Sequence, residues 1–96
     1  MAHELPLVGK KLTVNEQINE CLRIKFRQQL ELREAERKLA RLDEGNDDLT
    51  QLTEKYRQEI KQAQFGISQM DDKLEMLHEV LAELDGEDSG STAVQG

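Results

Sequence analysis

From Leu49 to Leu84 the apolar residues fall at Leu49, Leu52, Tyr56, Ile60, Ala63, Ile67, Met70, Leu74, Leu77, Leu81 and Leu84, with every step three or four residues. This is the pattern of a helix with one narrow apolar seam, sustained over five heptads. With Ile60, Ile67, Leu74 and Leu81 at a, the d positions are Tyr56, Ala63, Met70, Leu77 and Leu84. Such a seam needs a second helix to lie against. It specifies a partner surface and not a reaction.

The second helix is present in the same chain. Thr13-Val14-Asn15-Glu16 fits a capping box, in which hydroxyl and carboxylate satisfy free backbone N–H groups at a helix start. No Pro or Gly interrupts the chain from there to Glu44. Ile18, Cys21, Leu32, Ala35, Leu39 and Leu42 supply its seam. Lys25 and Gln28 also occupy seam positions, while Val14, Ile18, Leu22, Phe26 and Leu30 recur every four residues. A strict four-residue step precesses around a helix, so this half presents apolar surface on more than one side and faces more than one neighbour.

Glu44-Gly45-Asn46-Asp47-Asp48 reads as a tight turn, with Gly just past one helix end and Asp48 capping the next. The heptad frame nevertheless runs through it without a phase shift, as it would in one continuous helix. Charge separates the two readings. Residues 10–27 carry a balance of +3 and residues 71–88 a balance of -7. Folding back at Gly45 lays the basic start of one helix beside the acidic end of the other, whereas a parallel pair of long helices sets acid against acid. An antiparallel dimer of long helices would satisfy the charges equally well. Pairing Leu42 with Leu49 then brings Ala35 opposite Tyr56, Ile18 opposite Leu74 and Val14 opposite Leu77.

The expected fold is all-α, an antiparallel two-helix hairpin with a coiled-coil seam. The alternative is one continuous helix in a self-associating coiled coil. The expected boundaries are an extended arm over 1–12, helices over 13–44 and 48–85 about a turn at 45–47, and a disordered acidic tail over 86–96. In the arm, Pro6 and Gly9 break any helical period, although Leu5, Leu7, Val8 and Leu12 can dock on a neighbour. Gly66 is a weak point in the second helix, costing about 1 kcal/mol relative to Ala.

Composition narrows the function. Only 3% of residues are aromatic and 34% are charged, a profile of exposed helices and not of a deep core. A net charge of -7 argues against nucleic acid and anionic membranes as partners. The single cysteine, Cys21, has no disulfide partner in the chain and reads as a buried thiol. No apolar run approaches a membrane span and no signal-peptide core is present, so an intracellular protein of cytoplasm or nucleus is expected.

No phosphate loop, paired-Cys metal spacing or His-x-x-x-His occurs. His78 near Asp71, Glu75 and Glu79 reads as a solvated polar face, since zinc sites recruit several His or Cys ligands. Asp71-Asp72 lacks the spacing of an EF-hand. A two-helix rod offers no cleft to desolvate a carboxylate, so no enzyme, cofactor, metal or small-molecule substrate is expected.

Leu22, Ile24, Phe26, Leu30, Phe65, Met76 and Val80 are large apolar residues off the a/d seam. With Phe26 and Phe65 nearly level in the Leu42–Leu49 register, they are read as a partner-binding band. The expected role is a structural subunit or adaptor of a hetero-oligomeric helical complex. An acidic helical chaperone or inhibitor that masks a basic partner is the reading of another class.

Overall fold

In the computed structural model the chain forms two α-helices, α1 (Leu7–Ala40) and α2 (Leu49–Gln95), packed side by side as a hairpin. The structure describes residues 5–42 and 49–95, with side chains placed for 5–42 and 50–87. The turn expected at 45–47, the Asp48 cap, positions 43 and 44, and the Leu49 side chain lie outside the described residues. Lys11 meets Asp85 and Lys25 meets Asp71, so the helices run antiparallel and the continuous-helix alternative is excluded. The long axis of 73 Å matches the ~70 Å that the α2 span gives at a rise of ~1.5 Å per residue.

The apolar residues that turn inward are those with the shared period. Val14, Ile18, Cys21, Leu74, Leu77 and Leu84 form a buried cluster, with Leu7, Met70, Val80 and Leu81 packed against it. Ala35 and Ala63 are buried towards the other end of the pair. Leu32, Leu39, Leu42, Tyr56, Ile60 and Ile67 are half-buried. A two-helix layer covers each seam from one side only, which is why half-burial prevails.

Two boundaries differ from the sequence reading. The first helix begins at Leu7, and residues 7–12 are helical instead of extended. Pro6 precedes it in an extended conformation, and its carbonyl accepts from the Lys10 N–H at 3.0 Å. Leu7 packs on the core cluster, which gives this first turn a tertiary anchor. Thr13 is therefore not a cap; its hydroxyl donates back to the Gly9 carbonyl at 2.9 Å, within the helix. At the other end, the helical backbone of α2 runs on to Gln95, with side chains placed to residue 87. Nothing lies within 4 Å of where a Cβ would sit on Gly86, so packing at that position does not hold it. α1 closes at Ala40 through tightened bonds, Arg41 N–H to the Lys38 carbonyl at 3.2 Å and Leu42 N–H to the Leu39 carbonyl at 3.2 Å.

The register also differs, by about one helical turn. Pairing Leu42 with Leu49 would set Lys25 opposite Gly66 and Lys38 opposite Thr53. Lys25 Nζ instead lies 2.6 Å from Asp71 Oδ1, and Lys38 Nζ lies 5.9 Å from the centroid of the Tyr56 ring. Gly66 faces Gln28, whose amide occupies the space a side chain would need: a Cβ on Gly66 would clash with Gln28 Nε2. The glycine that weakens α2 as a helix is thus where the polar seam residue Gln28 is accommodated.

Carbodiimide coupling reads this register directly. Zero-length coupling of dilute chain should join Lys11 to Asp85 and Lys25 to Asp71 within the monomer band. Peptide mapping that finds Lys25 joined elsewhere on α2, or these links only between chains, contradicts the hairpin as described.

Candidate protein interface

Most of the candidate interface residues stand clear of the seam. Leu22, Phe26, Leu30, Phe65 and Met76 are exposed, the phenylalanines by 60% and 65%. Ile24 and Val80 are half-buried, and Val80 packs against the core cluster, so it belongs in part to the hairpin's own interior. The one-turn difference in register takes Phe26 and Phe65 off a common level. Leu22, Phe26 and Leu30 form one stripe on the outside of α1, four residues apart, while Phe65 and Met76 lie on the outside of α2.

Two further residues, Val8 and Leu12, join the α1 stripe, with Leu5 just ahead of the helix start. Leu5, Val8 and Leu12 are exposed by 57%, 65% and 58%. The sequence marks them as able to dock on a neighbour but not as part of this stripe, because 1–12 reads as an extended arm when Pro6 and Gly9 are taken as helix breakers. Their three- and four-residue spacing was the signal. Once α1 starts at Leu7, the buried and exposed stripes run one position apart: Leu7 and Val8, Lys11 and Leu12, Val14 and Asn15, Ile18 and Asn19, Cys21 and Leu22, Lys25 and Phe26. One residue turns ~100° around an α-helix, so α1 carries two heptad seams about a right angle apart. The positions one step beyond the α2 seam are Arg57, Lys61, Gln64, Ser68, Asp71, Glu75, His78 and Ala82, a polar face. Only α1 is two-seamed.

The electrostatics separate the two ends. Lys11 Nζ lies 3.1 Å from Asp85 Oδ1 and, with Lys25–Asp71, offsets part of the acid on α2. These pairs are partly exposed and contribute about 0–1 kcal/mol each, so they orient the helices more than they hold them. On α1, Arg23 donates to Glu20 at 2.8 Å, and that contact holds the Glu20 carboxyl below its usual range. Lys38 pairs with Glu34 at 3.3 Å, which raises its ammonium pKa. Arg33, Arg37 and Arg41 continue the outer stripe of α1 beyond Leu30 and line an open surface groove with it.

Between the helices, a groove of about 260 Å³ is lined by Gln28, Glu31, Ala35, Lys38, Glu59 and Ala63, among others. Gln28 Oε1 is buried there without a hydrogen-bond partner. No helix among the described residues is long and apolar enough to cross a membrane. No group of three or more His, Cys, Asp or Glu among them is placed to hold a metal ion. No family model, curated protein or solved structure matches the chain at a significant level.

Proposed function

We propose that this chain is a small non-enzymatic structural subunit or adaptor, an antiparallel coiled-coil hairpin built into a larger hetero-oligomeric helical assembly inside the cell. The observation that carries this reading is the division of its apolar residues. One set is consumed by the α1–α2 contact. A second set, including Leu22, Phe26 and Leu30 on α1 and Phe65 and Met76 on α2, remains exposed in an otherwise polar, aromatic-poor chain. Half-covered helices of this kind gain most by docking on further helices, in the cytoplasm or nucleus where no disulfide is required.

A second reading draws on the acid of α2. Lys11 and Lys25 engage Asp85 and Asp71, while Asp72, Glu75, Glu79 and Glu83 stand on α2 beyond these two contacts. A binding chaperone that masks a basic client would use that face, and its binding would fall steeply with salt.

Isolation of the native complex tests the first reading. The unaltered chain should co-purify with other helical subunits in fixed ratio. A Phe26→Ser, Phe65→Ser chain should lose at least tenfold of that recovery while the free protein keeps its helicity. Equal recovery of both forms would remove the exposed faces as the interface. Recovery kept by both forms but lost with Glu79→Gln and Glu83→Gln would favour the client-masking reading.

A further inference from the structure

We propose that the outer face of α1 from Leu5 to Leu30 is a self-association seam, on which a second copy of this chain lays its own α1 antiparallel, centred on Gln17. The proposal rests on the reading of the exposed apolar faces as interfaces and assigns one of them its occupant.

The identity of the residues on this face is symmetric about Gln17. Val8 and Phe26 stand nine residues either side, Leu12 and Leu22 five, Asn15 and Asn19 two. Antiparallel pairing about that point sets Val8 against Phe26, Leu12 against Leu22 and each asparagine against the other, with Leu5 against Gln29 at either edge. Asparagine amides can donate to and accept from one another, so the central polar layer is satisfied. Shifting the pair by one heptad puts both asparagines against apolar side chains and leaves their amides unpaired. A polar pair at seam positions fixes register in this way. Val8 opposite Phe26 also matches a small residue to a large one.

Direction follows from where the apolar residues stop. Beyond Phe26 the same heptad positions hold Gln29, Arg33 and Glu36. A parallel copy would stack these on themselves, Arg33 against Arg33 included. An antiparallel copy centred on Gln17 ends its overlap near Gln29, opposite Leu5, and leaves Arg33, Arg37 and Arg41 outside the contact. The buried seam lies about a right angle away on α1, so the second copy and α2 do not compete for the same face. Five half-exposed apolar side chains, Leu5, Val8, Leu12, Leu22 and Phe26, at on the order of 100 Å² each give about 500 Å² per copy, or about 1,000 Å² in the pair, the lower bound for a specific interface.

Sedimentation equilibrium on the full chain should show a reversible dimer in the micromolar range. Leu12→Glu with Phe26→Glu should raise its dissociation constant at least a hundredfold, with the hairpin's helicity retained because both sites are exposed. Orientation is read by disulfide formation in a Cys21→Ala background. Chains carrying Leu12→Cys should crosslink to chains carrying Leu22→Cys and not to each other. A monomer at every concentration, or preferential Leu12→Cys self-crosslinks, overturns the proposal. A monomer that still enters the native complex through Phe26 overturns it while leaving the proposed function standing. A monomer indifferent to Phe26 in both measurements overturns both.

Discussion

Replacing Leu77 with alanine should remove most of the helicity of the free chain at room temperature. Leu77 is 4% exposed in the centre of the cluster formed with Val14, Ile18, Cys21 and Leu74. A buried Leu→Ala change costs about 2–5 kcal/mol, the lost transfer energy plus that of the cavity. A hairpin with this small a core has a stability of only a few kcal/mol, so one such loss is of the same size as the whole. Met76, the residue before it, is 46% exposed, and Met76→Ala should change the free chain by about 0.5 kcal/mol or less. Thermal unfolding followed by circular dichroism compares the two. Equal effects would show that α2 is rotated from the face described.

Cys21→Asp should make folding depend on pH in the direction opposite to ordinary acid denaturation. Cys21 is 1% exposed and carries a free thiol among Ile18, Leu74 and Leu77. The cation nearest along α1, Lys25 one turn on, is already engaged by Asp71 at 2.6 Å, so a carboxylate at 21 must compete for it, and an uncompensated buried charge costs about 3–5 kcal/mol. The folded state therefore binds the proton more tightly than the unfolded state. Its carboxyl pKa is raised, so stability is present below the unfolded value and falls as pH rises through the folded one. The variant should be helical near pH 4 and largely unfolded at pH 7. Cys21→Asn, similar in size and without the charge, should lack this dependence between those values. A Cys21→Asp chain as helical at pH 7 as the unaltered protein would place residue 21 at the surface.

These two substitutions sit on the best-recorded feature of the sequence. A three- and four-residue apolar step is a local property of each helix, and it marks Cys21, Leu74 and Leu77 as inward facing before any partner is known. Charge placement adds direction, because Lys11 and Lys25 on one helix need acid at the same height on the other. Asp85 and Asp71 supply it when the chain folds back, and would supply it equally across an antiparallel dimer of long helices. The antiparallel sense and the buried face were therefore legible in the amino acids, and the contact within one chain is what the structure adds.

Offset and termini were not. Register is a relation between residues far apart in sequence, and the a/d pattern repeats every heptad, so several offsets bury nearly the same side chains. The tightest turn, Leu42 against Leu49, is a local choice. The observed offset instead fits Gln28 over Gly66 and Lys25 against Asp71, contacts that exist only once both helices are in place. Leu7 tells the same story at the other end. Pro6 and Gly9 are breakers on propensity alone, yet the packing of Leu7 on the core carries the helix six residues past Thr13. That extension brings Val8 and Leu12 into line with Leu22 and Phe26. Periodicity sets which face of a helix is buried, because it is written within one turn of each residue. Only tertiary contact decides where a helix starts, how far it slides along its neighbour, and which second face is left over, because those depend on energies shared between distant parts of the chain.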